Sequence, residues 1–124
     1  MTNKSGAVYD FPKAYRLITA SDYSQVFKNP KKVSTPELLF LFSKNNQVFS
    51  RLGLAIAKKQ LHLAVDRNRI KRLIRESFRE QRSRLSSVDI VVIARKNLLN
   101  MDNTQVRQQL DILWGQVIRK GKLL

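Results

Sequence analysis

The feature that most constrains this chain is a run of cations spaced as one face of a helix. Eight of the nineteen residues from Asp66 to Arg84 are Arg or Lys. At 3.6 residues per turn, five of them fall within an arc of roughly 100°, with Asn68 near its middle, and apolar residues take the opposite side. The spacing therefore predicts an amphipathic helix that lies on a core and presents a cationic face. The five cations are Lys71, Arg72, Arg75, Arg79 and Arg82.

Like charges aligned on one face oppose folding, so we expect a polyanionic partner for them. A solvated helix face is the ordinary alternative, and calmodulin-type or membrane-surface helices also carry basic faces. The excess is rich in arginine, whose planar fork suits phosphate, and Phe78 is the only aromatic residue in the segment. Two carboxylates have an arginine at i,i+4 spacing, but such pairs are worth only about 0.2–0.5 kcal/mol each. The pairs are Arg72–Glu76 and Glu80–Arg84. Nucleic acid is the partner that the pattern favours.

Composition agrees with this interpretation. The chain has 124 residues, 43% of them hydrophobic, and a net charge of +15, which indicates one globular nucleic-acid-binding domain over residues 1–124, with residues 1–10 as a flexible tail. There is no cysteine, so we expect neither disulfides nor thiolate metal sites. No apolar run approaches the ~20 residues that span a bilayer, and the start lacks the apolar segment of a signal peptide. A cytoplasmic location and no membrane partner are expected.

The remaining elements follow from apolar periodicity and turn chemistry. Two predicted strands, separated by a polar turn at residues 44–47, are expected to pair as a hairpin. The second has a face of small residues that lets another element, or the backbone of a ligand, approach closely. A later strand is apolar on both faces, which is typical of a strand covered on both sides. The predicted elements are a short helix within residues 17–30 with a capping box at Thr19 and Asp22, strands at 38–42 and 52–57, the arginine-rich helix, a strand at 88–94 and a last helix at about 104–120.

Few residues offer chemistry of their own. Tyr23 and Phe27 share one face of the first helix, where they either pack in the core or border a groove and stack on a base. His62 is the only histidine, and no serine or cysteine is arranged with it as a nucleophile. The carboxylates show no metal-ligand spacing, so we expect no catalytic residue and no metal or cofactor bound by the protein itself.

One stretch resembles the protein subunit of bacterial ribonuclease P. It consists of residues 51–59 followed by 64–78, and its string RNRIKRLIRESF is the signature of that family. The resemblance extends from Phe11 to the helix that contains Trp114. One departure is visible, because Gln60-Leu61-His62-Leu63 stands where many members have a Gly-Asn turn.

The resemblance implies an α+β fold with a small mixed sheet and three helices in the order αβββαβα, like the second domain of ribosomal protein S5. The extra short strand would fall near Lys32 to Ser34. The arginine-rich helix would occupy a left-handed βαβ crossover, against the usual right-handed rule.

The resemblance also implies a function. The active site would belong to a catalytic RNA that uses divalent metal ions (Mg²⁺) to remove the 5′ leader from precursor tRNA, and the protein alone would be inactive. Its contacts with RNA would come from Lys58, Lys59, Arg67, Asn68, Arg69, Lys71, Arg72 and Arg75. A cleft for the single-stranded leader would be bordered by Tyr23, Phe27 and a strand aromatic, Phe40. The alternatives are a small ribosomal protein or basic RNA chaperone and, third, a DNA-binding domain, although no helix-turn-helix spacing is evident and no DNA partner is expected.

Overall fold

The computed structural model describes residues 13–121, so the expected tail at residues 1–10 lies outside the described residues. Seven elements follow one another in the order αβββαβα, which confirms the α+β class. They are α1 (Ala20–Lys28), β1 (Lys31–Ser34), β2 (Leu38–Lys44), β3 (Arg51–Ala55), α2 (Ala64–Gln81), β4 (Val88–Ala94) and α3 (Asn103–Gly121).

The four strands form one mixed sheet in the order β1-β2-β4-β3. The predicted pairing of β2 with β3 is wrong, because β4 lies between them, antiparallel to β2 and parallel to β3. The hairpin is instead formed by β1 and β2. The strand that is apolar on both faces takes a central position, where both faces are covered. Since β3 and β4 are parallel and α2 connects them, the three elements form a βαβ unit.

Strand alternation divides the core between the two faces of the sheet. On one face, Phe40, Leu52 and Val92 belong to the main core, which also contains apolar residues of α2 and α3 and the fully buried Trp114. The Trp114 Nε1–H donates a hydrogen bond of 2.7 Å to Ser77 Oγ, which joins the two helices inside the core. The other face carries a smaller cluster under α1, made of Leu17, Val26, Leu41 and Val91.

A capping box starts α1, as the sequence predicts. Thr19 Oγ1 accepts from the Asp22 N–H at 3.1 Å, and the Thr19 N–H donates to Asp22 Oδ2 at 3.1 Å. This bond, with a second one from the Ile18 N–H, lowers the pKa of Asp22. The cap therefore fixes the residue at which the chain turns into α1 and the direction in which that helix leaves the sheet edge.

Candidate nucleic-acid interface

The predicted two-sided character of the arginine-rich helix is confirmed. Ile70, Leu73, Ile74 and Phe78 of α2 are buried, because they face the sheet and α3. Asn68, Arg72 and Arg75 are exposed on the outer side, and Lys71 and Arg79 are half-buried beside them. The cationic face is therefore held on a rigid helix and points away from the core.

Two arginines of the signature string are bound within the protein. The Arg67 Nη1 donates to the carbonyl oxygens of Leu61 and His62, at 2.9 and 2.8 Å. The Arg69 Nη1 donates to Asn103 Oδ1 at 2.7 Å, at the start of α3. Arg67 thus fixes the loop in which this sequence departs from the family pattern, and Arg69 is oriented by the neighbouring helix.

The predicted i,i+4 ion pairs on α2 are wrong. Glu76 pairs with Arg107 of α3 at 2.7 Å, because α3 packs beside it, and Arg84 donates to Gln81 Oε1. Helix α2 ends at Gln81, so Arg82 lies in a short 3-10 turn, with its guanidinium 4.0 Å from the centre of the Tyr15 ring. Arg82 therefore leaves the cationic face, which consists of Lys71, Arg72, Arg75 and Arg79.

Tyr23 is fixed against the sheet by contacts with β3. A Cβ at Gly53 would lie 2.8–2.9 Å from ring atoms and the hydroxyl of Tyr23, so the ring occupies the space that a side chain would fill. The Leu54 N–H donates to Tyr23 Oη at 3.3 Å. The predicted close approach at the small-residue face of β3 is thus confirmed, and the element that approaches is α1.

Phe27 lies one turn further along the same face of α1, and 47% of its surface is exposed. It is therefore not a core residue, and its ring is available to a partner. Helix α1 therefore places two aromatic rings beside the sheet: Tyr23 packs against β3, and Phe27 is exposed.

The assignment of Phe40 to this surface is wrong. Phe40 is completely buried on the opposite face of the sheet, with its ring centre 4.6 Å from that of Trp114. Because side chains alternate along β2, Leu39, which precedes Phe40, faces the Tyr23 side of the sheet. Ile93 of β4 and Ala55 of β3 lie in register with Leu39 and face the same side. These three are partly buried and pack against the α1 cluster. The wall of the candidate cleft is therefore an aliphatic row.

A hollow of about 170 Å³ joins the two groups of predicted site residues. Lys71 and Arg75 of α2 line it together with Tyr23 of α1, over an apolar floor. Arg16, which the sequence interpretation missed, lines it as well. Partial burial and the nearby Arg16 guanidinium lower the pKa of Arg75. In the sequence Arg16 stands three residues before Thr19, the first residue of the capping box, and no spacing pattern sets it apart from the other arginines.

The other predicted site residues do not line this hollow. Lys58 and Lys59 are exposed in the turn that follows β3. Within residues 13–121, no group of three or more His, Asp or Glu side chains could hold a metal ion. No helix of the described part is long and apolar enough to cross a membrane.

Known proteins resemble this chain over most of its length. The family model described as Ribonuclease P matches residues 11–118. The ribonuclease P protein component of Histophilus somni (strain 2336) is 50% identical over 109 residues, which are 88% of this chain and 92% of that protein.

Solved structures resemble it as well. The RNase P protein of Staphylococcus aureus has a TM-score of 0.75 at 34% identity, covering 82% of this chain and 93% of that one. A mutant of the S. aureus protein, described as having defective mRNA degradation activity, has a TM-score of 0.77 at 30% identity and covers 91% and 93%. With a matching family model over most of its length and a relative at 50% identity, the chain belongs to the ribonuclease P protein family.

Proposed function

We propose that this chain is the protein subunit of a ribonucleoprotein ribonuclease P. It binds a catalytic RNA and the 5′ leader of precursor tRNA, and it assists removal of the leader to give the mature 5′ end. Family membership supports this role. The observation that carries it is the hollow in which the cations of α2 meet Tyr23, because it makes a phosphate-binding helix and an aromatic surface into one continuous interface.

The two parts of the interface suit two kinds of RNA. The narrow, deep groove of an A-form helix offers side chains little to read, so contacts with the folded catalytic RNA are made to phosphates and shape. The exposed Arg72 and Arg75, with Lys71, supply such contacts, and Lys58 and Lys59 extend them. Arginine forks suit this task, because they donate two parallel hydrogen bonds to one phosphate.

The leader is single-stranded and varies in sequence among precursors, so its recognition must tolerate any base. Stacking on aromatic rings meets this need, because every base has a π-face. The exposed ring of Phe27 and the aliphatic row of Leu39, Ile93 and Ala55 supply a surface of this kind. Tyr23, held by β3, fixes the end of that surface next to the cations.

In this proposal the divalent ions, Mg²⁺ above all, act at the active site of the RNA. The protein supplies cations between two RNAs whose phosphates repel each other, and this screening favours docking of the substrate. The reaction would take place in the cytoplasm, where precursor tRNA is processed.

Reconstitution tests the proposal. The pure protein is mixed with bacterial ribonuclease P RNA and precursor tRNA at a divalent ion concentration too low for the RNA to act well alone. We expect faster cleavage at the mature 5′ end than with the RNA alone, and a smaller gain with Arg72→Ala. An unchanged cleavage rate with correctly folded protein would reject the proposed function.

A further inference from the structure

We infer that Arg16, together with Lys71 and Arg75, forms a binding site for an RNA phosphodiester in the hollow beside Tyr23. The inference rests on the proposed function and adds to it a residue outside the signature string. The ligand is one phosphate of an RNA strand, supplied either by the leader or by the catalytic RNA.

The backbone holds Arg16 at this place. Arg16 forms a parallel bridge with Leu52 of β3, and the Leu17 N–H donates to the Leu52 carbonyl oxygen at 3.0 Å. Because β3 is an edge strand of the sheet, the segment before α1 extends the sheet by one short pairing. Three residues later the capping box at Thr19 turns the chain into α1. These main-chain bonds to β3 therefore fix the position of the Arg16 backbone.

The charged residues that line the hollow are all cations. Three cations line it, and none of the residues lining it, all within the described range, is a carboxylate. Partial burial lowers the pKa of Arg75, and the nearby Arg16 guanidinium lowers it further. Like charges held close together in a partly desolvated place repel each other more than they would in water. An anion between them relieves that repulsion.

The lining selects the class of anion. Leu17, Leu52 and Leu54 form an apolar floor, and the ring of Tyr23 forms one wall. Two arginine forks beside a lysine match the oxygens of a phosphate, whereas the apolar floor suits the sugar or base attached to it. A hollow of about 170 Å³ accommodates part of a nucleotide and not a helical stem. The occupant that fits is a phosphodiester with its sugar, at a point where the strand is not paired.

The test compares Arg16→Ala with Arg119→Ala, which changes the net charge equally. Arg119 is exposed near the end of α3, where Lys120 Nζ donates to the Lys32 carbonyl oxygen of β1. Since β1 and β3 are opposite edges of the sheet, Arg119 lies far from the hollow. Binding is measured as a function of salt in two arms: the catalytic RNA alone, and the assembled enzyme with precursor or leaderless tRNA.

We expect Arg16→Ala to weaken binding about tenfold in one arm and to reduce its salt slope by about 0.7–0.9, the loss of one phosphate contact. Weaker assembly would identify the catalytic RNA as the source of the phosphate. Weaker binding of precursor tRNA, with assembly and leaderless tRNA unchanged, would identify the leader. Arg16→Lys, which keeps the charge, is expected to keep the salt slope.

A phosphate scan gives an independent measurement. Methylphosphonate linkages are placed one at a time in the leader, and each precursor is bound by wild-type and Arg16→Gln enzyme. If the leader supplies the phosphate, one linkage should weaken wild-type binding and have no further effect in Arg16→Gln. Melting curves show that each variant is folded, and Arg16→Gln replaces the alanine variant if that one unfolds.

The inference is wrong if Arg16 and Arg119 variants behave alike in both arms and no linkage couples to Arg16. The proposed function would survive that result, provided that Arg72→Ala still weakens assembly and the wild-type protein still accelerates cleavage. If the wild-type protein failed to accelerate cleavage, the proposed function itself would fail, so the two failures are distinguishable.

Discussion

At the scale of single residues, the exposed ring of Phe27 separates a binding role from a packing role. We expect Phe27→Ala to lower the free energy of unfolding by less than about 1 kcal/mol, because nearly half of the ring is already in water, whereas truncating a buried Phe costs about 3–5 kcal/mol. Binding of precursor tRNA to the assembled enzyme should weaken by about 1–3 kcal/mol, the worth of one stacked base. Binding of leaderless tRNA should stay the same.

The matched control is Ile112→Ala, since Ile112 is an exposed apolar residue of α3 at 54%. It should change neither binding nor folding appreciably. Equal weakening of precursor and leaderless tRNA by Phe27→Ala, or a large drop in melting temperature, would show that Phe27 is a packing residue.

Gly53 is the second residue for which the structure predicts the effect of a substitution. A methyl group there would lie 2.8–2.9 Å from Tyr23, so Gly53→Ala must push the ring away from β3 and break its bond with the Leu54 N–H. Overpacking of this kind costs about 1–3 kcal/mol of stability, and precursor binding should fall with it. In a Tyr23→Ala background the same change should cost much less, since the clash is gone. Gly121→Ala, which meets nothing within 4 Å, is the control. Equal costs in both backgrounds would contradict this account.

At the scale of elements, the sequence predicted correctly those features that depend on residues close to one another in the chain. The apolar stripe of α2, the capping box at Thr19 and the covered strand β4 all depend on near neighbours in sequence, and all are confirmed. The predicted pairing of β2 with β3 was wrong because strand order depends on contacts between distant segments. Strand β4, which is apolar on both faces, begins some thirty residues after β3 and lies between β2 and β3 in the sheet. The left-handed sense expected for the crossover likewise came from the resemblance and not from spacing.

In the candidate site, too, features set by near neighbours in the sequence were predicted, and features set by distant contacts were not. The cationic face of α2 followed from helical spacing. The place of Phe40 in the cleft was implied by the resemblance, and it is wrong because the alternation of β2 turns its ring to the opposite face of the sheet. Leu39, its neighbour, faces α1. Arg16 could not be found from spacing. It reaches the site because its main chain forms a bridge with Leu52 of β3, a residue distant from it in the sequence.

The outer face of α2 carries the element-scale prediction. Arg72 is exposed at the middle of the helix, and no carboxylate in the described part of the chain forms an ion pair with it. Arg72→Ala should therefore leave the melting temperature unchanged and weaken assembly with the catalytic RNA by roughly 1.5–3 kcal/mol, the range for a charged hydrogen bond. Direct binding of the RNA in the absence of tRNA is the measurement, and Arg119→Ala is the control. An effect that appears only when precursor tRNA is present would place Arg72 at the leader instead.

At the scale of the whole molecule, the net charge of +15 predicts binding that depends steeply on salt. The cations of the candidate interface are Arg16, Lys58, Lys59, Lys71, Arg72, Arg75 and Arg79. If about 6–8 cations meet phosphates, the plot of log K against log salt should have a slope of roughly −4 to −7, at 0.7–0.9 per contact. A slope shallower than about −2 would mean that the cationic face is merely solvated.

The last prediction concerns the chain without its RNA. The sequence has one histidine and no cysteine. That histidine, His62, is exposed in a loop, and its main-chain carbonyl oxygen accepts a hydrogen bond from Arg67. We therefore expect the RNA-free protein to leave precursor tRNA uncut at every divalent ion concentration, because no nucleophile, general base and metal cluster can be assembled from these residues. The measurement uses protein freed of RNA by denaturation and refolding, with reconstituted enzyme as the positive control. Divalent-dependent cutting of precursor tRNA by the folded, RNA-free protein would overturn the prediction and assign a nuclease centre to the protein itself.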